Sequence, residues 1–538
     1  MTFMRSRVNA HRYVSFAIAG TAFVLIWGLP TLIIPFAADQ SWFALGGRSI
    51  LDGSLLYRDF HDQKPPLIYL LYAIPQFVGG ETYESVRVFD LMNTLLAMGG
   101  VFLLTKRFLP ERAAVLAAAV YGFVYLTAVG SDGLAETESF IVAPLTVALA
   151  IYPVRSGSHA LPFAFLSGLL LGLAFGLKFS VAPLVLALPA LELMLRERPT
   201  WHWPGAIQRL TIAAAAFLLV QAAWIGYLAL AGVLDDFIDI QRNYTIPYQD
   251  LRWTPNDWSF PRFVLIASED WLGKAWYVTA TAWVGLLLLL IRGPRPAGYF
   301  LGLLVALAIA SVWWQGKFFQ YHWIITLPFL APLAGYLLHD TLDRLWGLPR
   351  TPLLAAGAAG LIGIALMATD PLIQTYDAYN YLYDRVSGDR SQDEIDAIYT
   401  GVLGLNHELV DFVLANSEPD DPFVIWGPWP QAIYWADRPT STRFITNPQL
   451  RADWAPDKWR REYVEDLRAA SPRFFAVGDG DRQPWLTGTD RTSREDFCDY
   501  FPELRTLIEA DYLPVLNNGL FILYDREASE PTATSACP

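Results

Sequence analysis

The chain has 538 residues, of which 54% are hydrophobic and only 17% are charged, and its mean hydropathy is +0.30. Because a soluble domain carries about 25% charged residues, this composition excludes an ordinary soluble protein. The net charge is −13 and the sequence has no basic stripe, so nucleic acid is excluded as a partner.

Apolar runs long enough to cross a bilayer are concentrated before residue 370. A helix needs about 20 apolar residues to span the hydrocarbon core, and by that measure the chain has about eleven spans. The long runs lie at 13–36, 87–105, 113–130, 207–232, 272–291, 297–313, 323–338 and 352–369, and the shorter ones at 139–153, 160–176 and 180–195.

The positive charges between the runs predict the orientation, because Lys and Arg accumulate in cytoplasmic loops. Arg5, Arg7 and Arg12 precede the first run, which predicts a cytoplasmic N-terminus. The apolar segment 67–79 would place every later basic loop outside if it crossed the membrane, so we expect it to lie at the outer interface or to dip into the membrane. The inside loops are then Lys106 to Arg112, Arg155, Arg196 to Arg198, Arg292 to Arg295 and Arg344 to Arg350. This pattern indicates a bacterial inner-membrane protein with a periplasmic C-terminal domain.

The first outer loop, 37–86, carries the first candidate site residues. Asp39 follows the first span directly, and a carboxylate at the membrane boundary is costly to desolvate, which makes it a functional candidate. The alternative is that Asp39 only marks the water boundary of the span. Arg58 and Lys64 lie further along this loop, and Lys64 precedes a double proline.

Ionisable and aromatic residues also mark the later outer segments. Lys178 lies at a predicted outer turn, where it could bind a phosphate or only anchor a helix end by snorkelling. Lys317, Tyr321 and His322 lie near the outer end of a late span. They are candidates for binding a phosphate or an acceptor, although a lone His there is more often an interfacial hydrogen-bonding residue.

Three acids, Asp132, Glu136 and Glu138, occur together before the span at 139–153. Their oxygens could bind a divalent cation such as Mg²⁺ or Mn²⁺, because hard cations prefer oxygen ligands. The alternative is a group of acids without a metal, which is common on protein surfaces.

The residues after 370 are polar and contain short strand-like runs. Phe423–Trp426 reads as a buried strand followed by a helix at Pro430–Trp435, Arg473–Val477 as a second strand, and Leu520–Tyr524 as the arm of a hairpin. Strands alternating with helices predict a small α/β domain. Its glycine turns do not form a nucleotide-binding motif. Cys498 and Cys537 could form a disulfide, or Cys537 could be a free thiol.

Three strings, all on the predicted outer side, resemble the GT-C glycosyltransferases, in particular the family-39-like and aminoarabinose-transferase-like branch. The first runs from Asp39 through Leu51-Asp52-Gly53 to Lys64-Pro65-Pro66-Leu67; the others are Ala135–Phe140 and Gln315–His322. This resemblance implies transfer of a sugar from a polyprenyl-phosphate carrier. It places the family's essential acid at Asp39 and a second acid at Glu138, with Glu136 as the alternative. An acid implicated in metal binding in that branch is replaced by Gln63, which argues against a protein-held metal there.

We therefore predict a mainly α membrane protein, with a GT-C multi-span bundle over 1–370 and a periplasmic α/β domain over 371–538. The predicted reaction is an inverting transfer from a polyprenyl-phosphate-linked sugar to a glycan, lipid or protein hydroxyl, with Asp39 as the base. Cations clamp departing phosphates, and the candidates are Lys64, Arg58, Lys178 and Lys317. The alternatives are a transporter or flippase of lipid-linked sugars and a non-catalytic glycan-binding protein.

Overall fold

The computed structural model describes residues 18–153, 159–195, 202–251, 259–346, 369–400 and 403–537. The described chain is mainly helical, with one small sheet near the C-terminal end. The helices of the first part are α1 Ile18–Ile33, α2 Ala38–Leu51, α3 Leu67–Gly79, α4 Tyr83–Phe108, α5 Glu111–Ala128, α6 Thr137–Ile151, α7 Ala160–Leu177, α8 Ala187–Leu195 and α9 Trp203–Leu230.

Among the later helices, three consecutive ones are long and apolar, and the others are shorter. They are α10 Leu234–Ile240, α11 Ile246–Asp250, α12 Phe260–Ala267, α13 Glu269–Arg292, α14 Arg295–Gln315, α15 Leu327–Trp346, α16 Thr369–Ser387, α17 Gln392–Thr400, α18 Leu403–Ala415, α19 Pro430–Ala436, α20 Asp457–Ala470 and α21 Pro502–Asp511. A π-helical turn, Gln241–Thr245, joins α10 to α11, and a 3₁₀ turn, Gln320–Thr326, precedes α15.

Within the described residues, seven helices are long and apolar enough to cross a membrane, or eight if α1 and α2 count as one broken span. The predicted runs at 139–153 and 180–195 correspond to the shorter apolar helices Thr137–Ile151 and Phe179–Met194. Most of the predicted span 352–369 and the basic residues Arg5, Arg7, Arg12, Arg155 and Arg196 to Arg198 lie outside the described residues. The chain is a multi-span membrane protein, and the number of eleven spans stays a prediction.

One compact unit comprises residues 1–33, 83–224 and 260–389. In it, α4 packs against both α5 and α6, and α15 packs against α5 and α13. The approach of α7 to α9 depends on Gly168, because a Cβ there would lie 2.0 Å from the Ala213 carbonyl oxygen. Close-packed helices with small residues at their contacts are typical of membrane bundles.

The other compact unit comprises residues 34–82, 225–259 and 390–538. Its four-stranded sheet has the order β1-β2-β4-β3, formed by β1 Phe423–Trp426, β2 Phe474–Gly478, β3 Leu513–Asn517 and β4 Phe521–Asp525. Strand β1 is parallel to β2, while β4 is antiparallel to both β2 and β3. The predicted α/β tail, its three strands and the helix after the first strand are therefore confirmed.

The first loop belongs to the same compact unit as the tail. It contains two helices, α2 and α3, which pack against each other, and the structure therefore places Asp39 on a helix. The predicted domain boundary at 370 stays a prediction, since residues 347–368 lie outside the described chain.

Cys498 and Cys537 form a disulfide bond. This settles the choice that the sequence left open between a disulfide and a free thiol. The bond joins residues that are 39 positions apart, and it encloses α21 and the β3–β4 hairpin.

Candidate active site

Asp39 lies in the first turn of α2, where the free backbone N–H groups of a helix favour an acid. The start of α2 is held by Gln40, whose side-chain oxygen accepts a hydrogen bond from the Ala37 N–H at 3.1 Å. About one third of the Asp39 side chain, 33%, is exposed. Asp39 is therefore fixed in position yet accessible to a substrate.

Lys64 pairs with Asp39 across the first loop. Its Nζ donates to Asp39 Oδ2 at 3.1 Å and lies 4.0 Å from the centroid of the Phe43 ring. An alternative to a role at the phosphate would be a surface ion pair between Lys64 and its neighbour Asp62. The structure gives Lys64 a more specific place, against the carboxylate predicted to be the catalytic base.

The segment that carries Lys64 is held by hydrogen bonds from both sides. Tyr57 Oη donates to the Lys64 carbonyl oxygen at 2.9 Å, and Gln241 Nε2 donates to the Gln63 carbonyl oxygen at 2.8 Å. The double proline that follows restricts the backbone before α3 begins at Leu67. The Lys64 side chain therefore leaves a rigid backbone.

Asp62 is a buried acid that sequence reasoning did not single out. It accepts hydrogen bonds from the Gln63 N–H at 2.6 Å and from the Tyr69 hydroxyl. Burial raises the pKa of Asp62, and the nearby Lys64 ammonium opposes this effect. Arg58, by contrast, is half exposed and pairs with the adjacent Asp59 at 3.3 Å, so its role toward a phosphate stays a prediction.

In the other compact unit, Glu138 and Lys178 form a second acid–lysine pair. Glu138 lies in the first turn of α6, and Lys178 Nζ donates to Glu138 Oε1 at 2.5 Å. The Glu138 side chain is only 2% exposed. Its second oxygen, Oε2, is buried and has no hydrogen-bond partner within the described residues. Because buried carboxylate oxygens are nearly always hydrogen-bonded, this orphaned oxygen points to a ligand.

Two of the predicted late residues lie beside this pair. Lys178 Nζ is 5.5 Å from the centroid of the Tyr321 ring, and the His322 ring packs edge-on against Tyr321 at 4.7 Å. Both rings belong to the 3₁₀ turn Gln320–Thr326. The structure thus brings Glu138, Lys178, Tyr321 and His322 together, although they come from three separate stretches of sequence.

Lys317 precedes this turn and is 95% buried, with 5% of its surface exposed. Burial lowers the pKa of Lys317 to about 8, because a low-dielectric surrounding disfavours the ammonium form. The flanking residues Gly316 and Phe318 both have positive φ, 67° and 57°. Such a conformation is rare for Phe and is found where the surroundings impose it.

Lys274 is a cation in α13 that sequence reasoning missed. Its Nζ donates to Gln320 Oε1 at 3.1 Å, and Gln320 Nε2 donates to the Val129 carbonyl oxygen at 2.8 Å. Lys274 therefore supports the turn that carries Tyr321. The signal that could have found it is a lysine near the outer end of the predicted run 272–291, comparable to Lys178 at its predicted outer turn.

The three acids proposed as metal ligands lie in different local surroundings. Glu136 caps α6 by accepting from the Thr137 N–H, and Asp132 is exposed in a 3₁₀ turn. Among the described residues, the group whose ligand atoms lie close enough to hold an ion is instead Asp393, Asp396 and His407, within 4.8 Å of one another. A divalent cation at Asp132, Glu136 and Glu138 stays a prediction.

Each compact unit thus contains a carboxylate paired with a lysine among its candidate site residues, Asp39–Lys64 in one and Glu138–Lys178 in the other. The carboxylate of such a pair can accept a proton, and the ammonium can bind an anion. In both pairs the lysine is partly exposed, 19% for Lys64 and 18% for Lys178. An incoming anion can therefore reach either ammonium.

Comparisons of sequence identify similar proteins over part of the chain. Residues 63–225 match the family described as dolichyl-phosphate-mannose-protein mannosyltransferase. The chain is also 28% identical over 345 residues to the undecaprenyl phosphate-alpha-4-amino-4-deoxy-L-arabinose arabinosyl transferase of Pseudomonas aeruginosa (strain UCBPP-PA14). That alignment covers 62% of this chain and 59% of the relative, so the match spans less than two thirds of the relative's length.

Comparisons of structure cover nearly the whole chain. ArnT from Cupriavidus metallidurans in the apo state aligns with a TM-score of 0.60 at 13% identity, covering 98% of this chain and 100% of that one. The same protein bound to undecaprenyl phosphate aligns with a TM-score of 0.59 at 12% identity, with the same coverage. The chain therefore has the ArnT-like GT-C fold, which confirms the predicted fold class and the resemblance on which it rested.

Proposed function

We propose that this protein is an inverting glycosyltransferase that moves a sugar from a polyprenyl-phosphate carrier to an acceptor hydroxyl. The observation that carries the proposal is the pair of Asp39 and Lys64, 3.1 Å apart, on a chain with the GT-C fold. The similar proteins support the donor class, since one is named as an undecaprenyl phosphate aminoarabinose transferase and the other binds undecaprenyl phosphate.

In the proposed reaction, the acceptor hydroxyl attacks the anomeric carbon and its proton passes to an oxygen of Asp39. The bond between the anomeric carbon and the phosphate oxygen breaks, and its electron pair leaves with the polyprenyl phosphate. Because attack and departure occur on opposite faces, the configuration inverts. A positioned general base contributes about 10²–10⁴-fold to such a step.

Lys64 is shared between two anions in this mechanism. Before the donor binds, its ammonium donates to Asp39; when the donor phosphate arrives, it can bind that phosphate and release the carboxylate to act as a base. Cationic clamps on a leaving phosphate stabilise the charge that develops as the bond breaks. One lysine therefore links donor binding to activation of the base.

The Glu138–Lys178 pair is proposed to bind the donor as well. Within its own compact unit, Lys178 offers an ammonium for a phosphate, and the orphaned Glu138 Oε2 is a ready acceptor for a hydroxyl group of a sugar. Tyr321 and His322 complete this surface, and Lys317 is proposed to add a further cation. A divalent cation of the Mg²⁺ or Mn²⁺ type is tested by chelation, with loss of transfer expected only if the metal takes part.

The location is also part of the proposal. The basic loops and the polar tail support an inner-membrane protein with a cytoplasmic N-terminus and a periplasmic tail. The acceptor is then a hydroxyl of a cell-envelope glycan, lipid or protein.

The purified protein in lipid nanodiscs, supplied with undecaprenyl-phosphate aminoarabinose or undecaprenyl-phosphate hexoses and with lipid A or envelope glycans, would test the function. The readout is release of undecaprenyl phosphate together with glycosylated acceptor. Asp39→Asn should lower turnover by at least about 100-fold, because the amide cannot accept the proton. Asp52→Asn, which changes an exposed acid at the end of α2, is the matched control and should leave turnover unchanged.

The alternatives give different outcomes in the same preparation. A flippase would move the intact lipid-linked sugar between leaflets without releasing undecaprenyl phosphate. A glycan-binding receptor would bind its glycan equally well with Asp39→Asn. Turnover within about threefold of wild type in that variant would remove Asp39 as the base, because the expected loss is far larger.

A further inference from the structure

Tyr57 has a backbone conformation that ordinary side chains rarely adopt. Its φ is 74°, in the left-handed region, and its side chain is fully buried. For a bulky residue, such a conformation persists only where the surroundings hold it, and it is often found where position matters for function. The contacts of Tyr57 should therefore explain both why it keeps this conformation and which residues it positions.

Tyr57 is fixed by four contacts. Its N–H donates to the Phe60 carbonyl oxygen at 2.7 Å, and its ring packs edge-on against Phe237 at 4.8 Å. Its own carbonyl oxygen accepts from Arg443 Nη1 at 2.9 Å. Its hydroxyl donates to the Lys64 carbonyl oxygen at 2.9 Å. The Tyr57 backbone is therefore bound to Arg443, and the Tyr57 side chain is bound to the Lys64 backbone.

Arg443 belongs to the tail and is itself rigidly held. Its guanidinium forms two hydrogen bonds with Glu462, at 2.6 and 2.9 Å, and stacks on Phe444 at 4.8 Å. Its carbonyl oxygen accepts from the His61 N–H at 2.9 Å. Arg443 thus grips the first loop at two points, Tyr57 and His61, and only 9% of its side chain is exposed.

These contacts form a continuous path within one compact unit. It runs from Glu462 through Arg443 to the Tyr57 carbonyl, from the Tyr57 hydroxyl to the Lys64 backbone, and from Lys64 Nζ to Asp39. We propose that Tyr57 is a positioning residue for the Asp39–Lys64 pair and that Arg443 of the tail holds Tyr57 in place. This inference rests on the function proposed above. It means that the tail, through Arg443, helps to hold Lys64 in position for the donor phosphate.

The expected consequence concerns binding of the phosphate. When the Tyr57 hydroxyl or the Arg443 guanidinium is removed, the Lys64 backbone loses its support and its ammonium no longer stays where the phosphate needs it. Contacts between charged groups depend on such placement, so each change should weaken the binding of undecaprenyl phosphate by about tenfold. Because both residues act through one path, the two effects should not multiply.

The test uses the full-length protein in nanodiscs with undecaprenyl phosphate as the probe. Tyr57→Phe removes only the hydroxyl, and Arg443→Lys keeps the charge but loses the planar fork. Two matched controls come from the tail. Tyr512→Phe removes a buried hydroxyl that donates to the Pro472 carbonyl oxygen at 2.7 Å. Arg473→Lys changes an arginine that stacks on Phe474 and pairs with Asp525 and Glu527.

Three measurements are made on each variant: the dissociation constant for undecaprenyl phosphate, the unfolding temperature, and hydrogen exchange of the amides at 57–64. Tyr57→Phe and Arg443→Lys should weaken binding and speed exchange at 57–64 while unfolding like the controls. The double variant should bind about as weakly as either single variant. The two control variants should bind like wild type.

Binding like wild type in Tyr57→Phe, or a double variant whose loss is the product of the single losses, would overturn the positioning role. These outcomes are distinct from failure of the proposed function. If the wild type did not bind undecaprenyl phosphate, both proposals would fall. If wild type and Tyr57→Phe bound it equally while Asp39→Asn abolished transfer, the function would stand and only the positioning role would be rejected.

Discussion

At the scale of single residues, the proposed mechanism gives Lys64 two anionic partners, Asp39 and the donor phosphate, of which it can serve only one fully at a time. In the structure its ammonium donates to Asp39. A bound phosphate would offer a competing anion. Under the proposed mechanism, donor binding and the availability of Asp39 as a base are coupled through the Lys64 side chain, and this coupling can be measured.

Lys64→Ala should weaken binding of the donor and slow transfer, whereas Lys64→Arg should restore part of both. The reason is that Ala removes the cation that would bind the phosphate and also removes the hydrogen bond from Lys64 to Asp39, while Arg keeps a positive charge at the same position. Initial rates at varied donor concentration give the Michaelis constant for the donor and the maximal rate of transfer. A surface ion pair contributes only about 0–1 kcal/mol to stability. An unchanged Michaelis constant and maximal rate in Lys64→Ala would therefore mean that Lys64 forms only an ordinary ion pair and does not bind the phosphate.

Lys317 gives the proposed reaction a pH dependence. Burial lowers its pKa to about 8, so its charge is lost as the pH rises through that value. If the ammonium binds the donor phosphate, kcat/KM should fall above pH 8, since this ratio reports groups of the free enzyme. The measurement is a pH–rate profile from 6 to 10, and Lys317→Arg, which stays charged, should remove this limb.

The effect of Lys317 on folding stability has the opposite dependence on pH from its effect on activity. The folded-state pKa of Lys317 lies below the usual lysine value, so between these two values the unfolded chain binds more protons. Stability therefore rises with pH across that window. Activity that falls while stability rises would separate the role in binding from a general effect on folding.

At the scale of elements, the distance between Asp39 and Lys64 depends on how closely α2 and α3 pack. Gly47 of α2 allows this approach, because a Cβ there would lie 2.8 Å from the Ala73 backbone nitrogen and 3.0 Å from the Tyr72 carbonyl carbon. Backbone atoms cannot move aside as a flexible side chain can. A single methyl group at Gly47 would therefore push the two helices apart.

Gly47→Ala should lower both the unfolding temperature and the transfer rate. The matched control is Gly99→Ala in α4, a helical glycine at which an added Cβ would meet no atom within 4 Å. Alanine is favoured over glycine in a helix by about 1 kcal/mol, so the control should be neutral or slightly more stable. Equal behaviour of the two variants would mean that the helix contact is not tight.

The strands show how far local pattern predicts the tail. Strands β1, β2 and β4 are fully buried and mostly apolar, and the sequence predicts all three. Strand β3 escaped prediction because it is only half-buried and contains Pro514. A proline is tolerated there because β3 is the edge strand of the sheet.

Local sequence pattern predicts the residues of the candidate site but not their contacts with one another. Asp39, Lys64, Glu138 and Lys178 were all singled out from the sequence, but their pairing was not. Glu138 and Lys178 are 40 residues apart, and their contact depends on the packing of α6 on α7. The same is true of Arg443, whose sequence neighbours give no sign of its contact with Tyr57.

At the scale of the whole molecule, the predicted orientation can be tested with single cysteines at exposed positions. Asp52→Cys and Asp420→Cys should react with an impermeant thiol reagent added to intact cells, and Arg112→Cys and Arg295→Cys should not. All four positions are exposed in the structure, so burial does not decide the outcome. Permeabilised cells serve as the control, in which all four should react. Labelling of position 112 but not of position 52 in intact cells would show that the orientation is the reverse of the predicted one.

The disulfide between Cys498 and Cys537 also sets the order of events during biogenesis. Thiols stay reduced in the cytosol, so under the proposed topology this bond forms only after the tail has been exported. A bond across 39 residues restricts the unfolded chain by an amount worth about 4 kcal/mol. The exported tail therefore gains much of its resistance to unfolding at the moment of oxidation, and a cell that lacks its oxidation machinery should degrade the newly made protein faster.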